Sequence, residues 1–334
     1  MPQRILLERF SIARFKFVIQ AEGHLGLPPY KGSTFRGGFG HALRRVVCIT
    51  KGRDCAECLL YQKCVYSYIF ETPPPPDSKI MRKYPKAPHP FVLIPPLEDK
   101  REYEQGEKIT FGLNLIGKAI DYLPYFIFTF EELGRMGIGK DKGKFFLQEV
   151  YGLNLEEGEK LIYRGEQRKL LNLFSIQYPF RDGFDQYGSV DGREETDELT
   201  LRFLTPIRIK YNGTVGHELE FHILVRNLLR RISSLAYFHC SEDPARIDFK
   251  GLISNAEKIK INANHLRWYE WERYSSRQKT TMNLGGFIGE ITYEGDFGLF
   301  MTLITLGQYT HVGKNCTFGL GKYKVLKGLK NEKR

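Results

Sequence analysis

Eight histidines are the side chains of this chain whose ordinary pKa lies near neutrality, so a proton-transfer reaction at neutral pH would draw on them first. His41 has the most suggestive surroundings. In GSTFRGGFGHALRRVV, at about 100° per residue, Phe35, Phe39, Ala42, Leu43 and Val46 gather on one helical face, and Thr34, Gly37, His41, Arg44 and Arg45 on the other. The pattern sets an imidazole beside two guanidinium groups able to stabilise charge developing on a phosphate. A histidine on a solvated helix surface, with no chemistry, is the bland alternative. His24, in GHLGLPPYKG ahead of the same helix, is the second candidate, with Tyr30 and Lys31 as assistants. His89 lies among prolines, and His217, His222 and His239 fall in an apolar helical stripe, so packing accounts for them. His311 ends a helix, where a cation complements the C-terminal dipole.

Four of the six cysteines crowd into one window, at Cys48, Cys55, Cys58 and Cys64, with gaps of six, two and five residues. The Cys-x-x-Cys core suits a tetrahedral zinc site, closed by four thiolates and therefore structural; an iron-sulfur cluster takes the same four ligands. Free buried thiols are the third reading. Zinc is the first expectation, and no catalytic cofactor is implied.

The stretch HVGKNCTFGLGKY, at 311–323, has the glycines of a phosphate-binding loop without the spacing of a P-loop or a dinucleotide fingerprint. Gly313, Gly319 and Gly321 permit positive φ and close backbone approach, so that N–H groups can face an anion, while Lys314 and Lys322 add charge. A tight turn joining a helix to a strand needs the same glycines.

The elements that must carry these residues follow from periodicity. Phe15, Phe17 and Ile19 alternate with Arg14 and Lys16 as a strand, and Gly32-Ser33-Thr34 then starts the helix bearing His41, its backbone donors open to an anion. Residues 73–96 hold nine of the sixteen prolines and read as an extended excursion without regular structure. A strand returns at Ile109, Phe111, Leu113 and Leu115, followed by a helix from Asp121 to Gly134, a glycine-lysine loop and another strand. The second half repeats this order: a strand at 199–209, a helix from His217 to His239, strands at 265–274 and 284–293, a helix at 297–307 and a last strand from Tyr323. This order, β-α-β-β-α-β, is the ferredoxin-like unit. The chain is therefore expected to be α+β, with two tandem ferredoxin-like (RRM-like) domains. The first covers 1–175 and carries a cysteine-bearing, Pro-rich insertion at about 48–96; the second covers 176–334. The loop at 134–145 is the counterpart of the one at 313–321. An acidic stretch without periodicity, within 175–198, joins the halves.

Composition narrows the partners. At 334 residues each half can bury its own core, and 50 Lys and Arg against 39 Asp and Glu, net +11 with 13% aromatics, favour a polyanion. The first twenty residues are charged throughout, which argues against a signal peptide, and the longest apolar run, Tyr122 to Phe130, is too short for a membrane helix. A soluble cytoplasmic protein is expected.

Taken together, GSTFRGGFGHALRR at 32–45, the four-cysteine insertion, ERYSSRQKTTMNLGGFIGEITYEG at 272–295 and HVGKNCTFGLGKY resemble the CRISPR-associated endoribonucleases that process precursor CRISPR RNA, members of the repeat-associated mysterious protein superfamily. The resemblance implies tandem ferredoxin-like domains and RNA as partner. It also implies metal-independent cleavage, in which a 2′-hydroxyl attacks the adjacent phosphate and leaves 2′,3′-cyclic phosphate and 5′-hydroxyl ends. In many family members the catalytic histidine lies on or near the first helix, where His41 stands. By the same resemblance Arg36, Arg45, Arg277, Gln278, Lys279 and the loop residues Gly313, Lys314, Gly319, Gly321 and Lys322 are expected to contact RNA. Other CRISPR effector subunits and a second copy of the chain are further partners to be expected, and a membrane is not. The superfamily also contains subunits that hold guide RNA without cutting it, and this is the rival reading; a metal-cluster protein acting on DNA or nucleotides is a third.

Overall fold

The computed structural model describes residues 7–51, 54–81, 84, 86–154, 158–171, 197–209, 219–243, 247–275 and 280–326. The joining stretch, His217, the Arg277-Gln278-Lys279 group and the basic tail after 326 all lie outside the described residues, apart from the linker's last two positions.

The chain forms two compact units. The first comprises Glu8–Gly183 together with Ser234–Glu242; the second includes 184–233 and 243–334. In the first, the strands are β1 (Ile12–Ala21), β2 (Leu25–Gly26), β3 (Phe91–Ile94), β4 (Glu102–Tyr103), β5 (Lys108–Ile116), β6 (Phe145–Asn154), β7 (Gly158–Arg164) and β8 (Lys169–Leu170). Six of them make one antiparallel sheet in the order β3-β5-β1-β6-β7-β8. Its first four strands, with helices α1 (Gly32–Val47) and α2 (Leu123–Met136), are the ferredoxin-like unit. Phe17 pairs with Phe111 across β1 and β5, ring centroids 5.2 Å apart. Phe35 and Phe39 of α1 and Phe126 and Phe130 of α2 close over that sheet face, with Phe39 and Phe126 stacked at 4.9 Å. The alternation of β1 and β5 and the apolar stripe of α1 therefore meet in one core.

Two expectations change here. The proline-rich stretch does contain a regular element: β3, between Pro90 and Pro95, is the second strand of the unit, and the edge of a sheet is where flanking prolines are tolerated. Helix α1 begins with Lys31 in the capping position and no side-chain cap, while Ser33 is already buried inside it. Its start is thus set by tertiary packing, with no Ser or Thr cap.

In the second unit β9 (Glu198–Ile207), β10 (Lys260–Tyr269), β13 (Gly286–Glu294) and β14 (Tyr323–Leu326) form a sheet in the order β10-β13-β9-β14, all antiparallel, and β11 (Glu272–Ser275) pairs with β12 (Thr280–Asn283) as a separate ribbon. Its helices are α3 (Phe221–His239) up to Ser233, α4 (Phe249–Ala256) and α5 (Met301–Thr310). The order is again ferredoxin-like. Phe221 makes edge contacts with Tyr293 at 5.0 Å and Phe300 at 5.2 Å, and Leu201 faces both Ile291 and Val325. Helix α5 starts four residues later than periodicity suggests, because Asp296 accepts from the Gly298 N–H and Phe300 closes a turn on Phe297.

Candidate functional site

Helix α1 divides as its pattern requires: Phe35, Phe39, Ala42 and Leu43 are buried, and His41 and Arg45 are exposed. One helical turn separates those two, so they share a face. His41 makes no hydrogen bond or ion pair with any described residue, which leaves both ring nitrogens open to a ligand. The Nε of Arg45 lies 2.8 Å from Oε1 of Glu132 on α2. Guanidinium carries five donors, so this pairing orients the group and leaves Nη hydrogens for an anion.

Arg44, Arg36 and Lys31 are engaged with other groups. Arg44 hydrogen-bonds the Cys48 thiol and lies near Cys55 and Tyr66, so its charge is directed into the cysteine segment. Arg36 packs its guanidinium 4.0 Å over the Phe70 ring, with Nη2 3.3 Å from Nε2 of His89, whose Nδ1 is 2.6 Å from the Thr72 hydroxyl. Lys31 is fully buried, donates to the Glu98 carbonyl at 2.8 Å, and has its pKa lowered by burial against the opposing pull of Glu98 and Asp99. It anchors the helix entry and is not available as a catalytic assistant. His24 is exposed and pairs through Nε2 with Glu102 at 3.0 Å; Tyr30 is half-buried.

The four cysteines are partly buried. Cys48 and Cys58 both reach the Thr50 hydroxyl, at 3.7 and 3.9 Å, and the Thr50 hydrogen bond, aided by backbone N–H groups and Arg44, lowers the Cys48 pKa. Among the described residues no three His, Cys, Asp or Glu converge as a metal ion requires.

In the second unit the glycine-rich loop is laced to the end of β9. Thr205, buried, donates to the Gly319 carbonyl at 2.8 Å and accepts from the Lys322 N–H at 2.9 Å; Gly321 donates to Pro206 and Lys314 to Arg208, both at 3.0 Å. The glycines are required by the backbone itself. Gly313, Gly319 and Gly321 have φ of +91°, +87° and +69°, and a Cβ on Gly321 would stand 1.8 Å from the Val312 carbonyl oxygen. Much of the loop's N–H inventory is thus spent internally, so Lys314, exposed, and Lys322, half-buried, are its charged outlets. His311 is fully buried with Nδ1 3.2 Å from the Leu320 carbonyl; burial, then Lys322 and Arg231, lowers its pKa to about 3. It is neutral at pH 7 and cannot serve the helix dipole as a cation. Sequence reasoning missed Thr205 and Glu132. The only hint of the first was a strand-end Thr-Pro, and of the second an ordinary acidic residue on a neighbouring helix.

Comparison with known proteins connects this arrangement to a family. Residues 10–173 match the AF_1859 N-terminal domain, and residues 201–323 match CRISPR-associated endoribonuclease Cas6. An uncharacterized protein of Archaeoglobus fulgidus is 25% identical over 307 residues, spanning 90% of this chain and 92% of that protein. A Cas6 product complex has the same fold at a TM-score of 0.54 and 16% identity, covering 95% of this chain and 99% of the other. The Thermus thermophilus Cas6 follows at 0.53 and 15%, with the same coverage. A chain of a partial Cas6-RT-Cas1–Cas2 complex reaches 0.56 at 15% identity, covering 97% of this chain and 48% of that one. The second half of the chain, over 201–323, thus matches the Cas6 endoribonuclease family, and the chain as a whole has the fold of solved Cas6 proteins.

Proposed function

We propose that this chain cuts precursor CRISPR RNA within its repeats by attack of a ribose 2′-hydroxyl on the adjacent phosphate, with no metal in the step. The products are a 2′,3′-cyclic phosphate and a 5′-hydroxyl. The observation that carries the reading is His41, exposed on α1, without a partner among the described residues and one turn from Arg45. The attacking oxygen belongs to the RNA, so the protein need supply only proton transfer and charge stabilisation. His41 takes the proton from the 2′-hydroxyl or gives one to the departing 5′-oxygen. Arg45, held by Glu132, faces the charge that gathers on the phosphate oxygens as the new P–O bond forms. Lys314 and Lys322 on the glycine-rich loop are the RNA contacts of the second unit. Among the structural neighbours, a product complex and a Cas6-RT-Cas1–Cas2 complex support RNA and CRISPR proteins as partner classes.

The test is repeat RNA incubated with the purified protein in excess chelator. Cutting at one site that survives chelation, and stops when the upstream 2′-hydroxyl is replaced by hydrogen, is the expected result. Tight binding without a cut under every condition would make the chain a guide-RNA holder instead.

A further inference from the structure

The first unit has its own glycine-lysine loop, 137–144, in the same position between the second helix and the last strand of its ferredoxin-like fold as the glycine-rich loop of the second unit. Lys140, Lys142 and Lys144 are all exposed, and none of them makes an ion pair or hydrogen bond through its side chain with any described residue. The lysines around them are placed differently: Lys31 is buried on a carbonyl and Lys100 is paired with Glu107. Three uncommitted ammonium groups in five residues therefore stand on one loop.

That loop is held rigid from beneath. Gly137, Gly139 and Lys142 have φ of +77°, +82° and +56°, and Ile138, buried, bridges to Gly143 with its N–H 2.9 Å from the Gly143 carbonyl. A Cβ on Gly139 would stand 2.2 Å from the Gly26 carbonyl oxygen, and one on Gly143 2.8 Å from that of His24. The Glu22 N–H donates to the Lys144 carbonyl. Asp141 is turned to the Gly26 side, its Oδ2 3.6 Å from where a Gly26 Cβ would lie, and Glu102 is paired with His24. Asp141 thus leans toward Gly26 and Glu102 toward His24, while the three lysines stand exposed. A preorganised backbone carrying free cations binds a flexible polyanion with little ordering cost of its own.

We propose that Lys140, Lys142 and Lys144 form a second RNA-backbone site, in the first unit, that takes phosphates of the precursor outside the cleaved linkage. This rests on the reading of the chain as an RNA-processing protein and adds to it a contact that sets affinity and not the rate of the chemical step.

The test compares the full chain with a Lys140→Gln, Lys142→Gln, Lys144→Gln variant, and with a charge-matched control carrying Lys63→Gln, Lys250→Gln and Lys260→Gln at other exposed positions. Binding of repeat RNA is followed by fluorescence anisotropy across a salt series, and cleavage by single turnover at saturating protein. Each phosphate neutralised on a single strand contributes about 0.7 to the salt slope, so removing three contacts flattens it by about 2 and weakens binding about 10-fold or more. The saturated cleavage rate and the melting temperature stay as they were. An unchanged slope, or an equal change in the control, overturns the site and leaves the proposed function standing. Failure of the unaltered chain to bind repeat RNA overturns both, and is seen before any variant is made.

Discussion

Two histidines show how environment decides role. His41 is exposed and uncommitted, so His41→Ala removes chemistry without removing packing: single-turnover cleavage is expected to slow by about 10²-fold or more, with the circular dichroism spectrum and RNA affinity kept. An unchanged rate takes it out of the site. His311 is the opposite case. Buried with its pKa lowered to about 3 from an ordinary 6.5, it is neutral in the folded chain and protonated in the unfolded chain between those values. The unfolded state then binds more protons, so stability rises with pH across that window and is lost as pH falls, by up to about 1.4 kcal/mol per pH unit. Denaturant midpoints at pH 7 and pH 5 should show the loss, and the His311 ring nitrogens should keep the neutral NMR signature at pH 5; a ring charged at pH 5 refutes it. The contrast was half legible in the sequence. A helical wheel put His41 on the polar face, but nothing local told that Lys31 is buried on the Glu98 carbonyl, because that contact depends on a segment 67 residues along the chain.

At the scale of elements, glycine is the residue whose sequence reading was most ambiguous and whose structural reason is most definite. The run FRGGFGHA is a helix in spite of its glycines because two of them admit neighbours: a Cβ on Gly38 would stand 2.8 Å from Leu133 Cδ1 of α2, and one on Gly40 2.1 Å from Phe70 Cζ. Phe70 lies in the π-turn at Ser67–Glu71, which ends at Thr72 with φ +51°, and its ring packs on α1 at Gly40. Gly40→Ala should therefore cost about 1–3 kcal/mol, and Phe70→Leu in the same chain should recover part of it, since a side chain can yield. Additive losses in that double-mutant cycle would show that Gly40 serves the helix in another way. Gly321→Ala allows no such rescue. Its clash is with the Val312 carbonyl and its φ is +69°, so loss of about 2 kcal/mol or more is expected, with weakened RNA binding as the loop shifts.

At the scale of the molecule, alternation and helical stripes carried both ferredoxin-like units to the page, since strand faces and helix faces are properties of a few neighbouring residues. What they could not carry was β3, four residues hidden between prolines, or the added strands β7 and β8, whose partners lie in the same sheet but whose pattern is weak. Nor could they tell that the first unit takes in Ser234–Glu242 from the far end of α3. Within that unit His239 donates from Nε2 to the Pro88 carbonyl at 2.8 Å, which leaves Nδ1 to accept from the Tyr68 hydroxyl at 3.2 Å; the Tyr237 hydroxyl accepts from the Lys79 N–H at 3.1 Å. Gly117 is shaped to this segment, with a Cβ there 2.0 Å from the His239 carbonyl oxygen. A fragment of residues 8–183 leaves the Tyr68 hydroxyl and the Pro88 carbonyl without those partners, at about 1–3 kcal/mol for each group that stays buried. Appending 234–242 through a flexible linker should return them, and for a unit of this size each kcal/mol moves the melting temperature by roughly 2–4 °C. The linked fragment is therefore expected to melt roughly 5–10 °C above the bare one, by the same scaling, in differential scanning calorimetry. Equal melting temperatures would mean that 234–242 only lies against the unit, and that the boundary at Gly183 already encloses everything its stability requires.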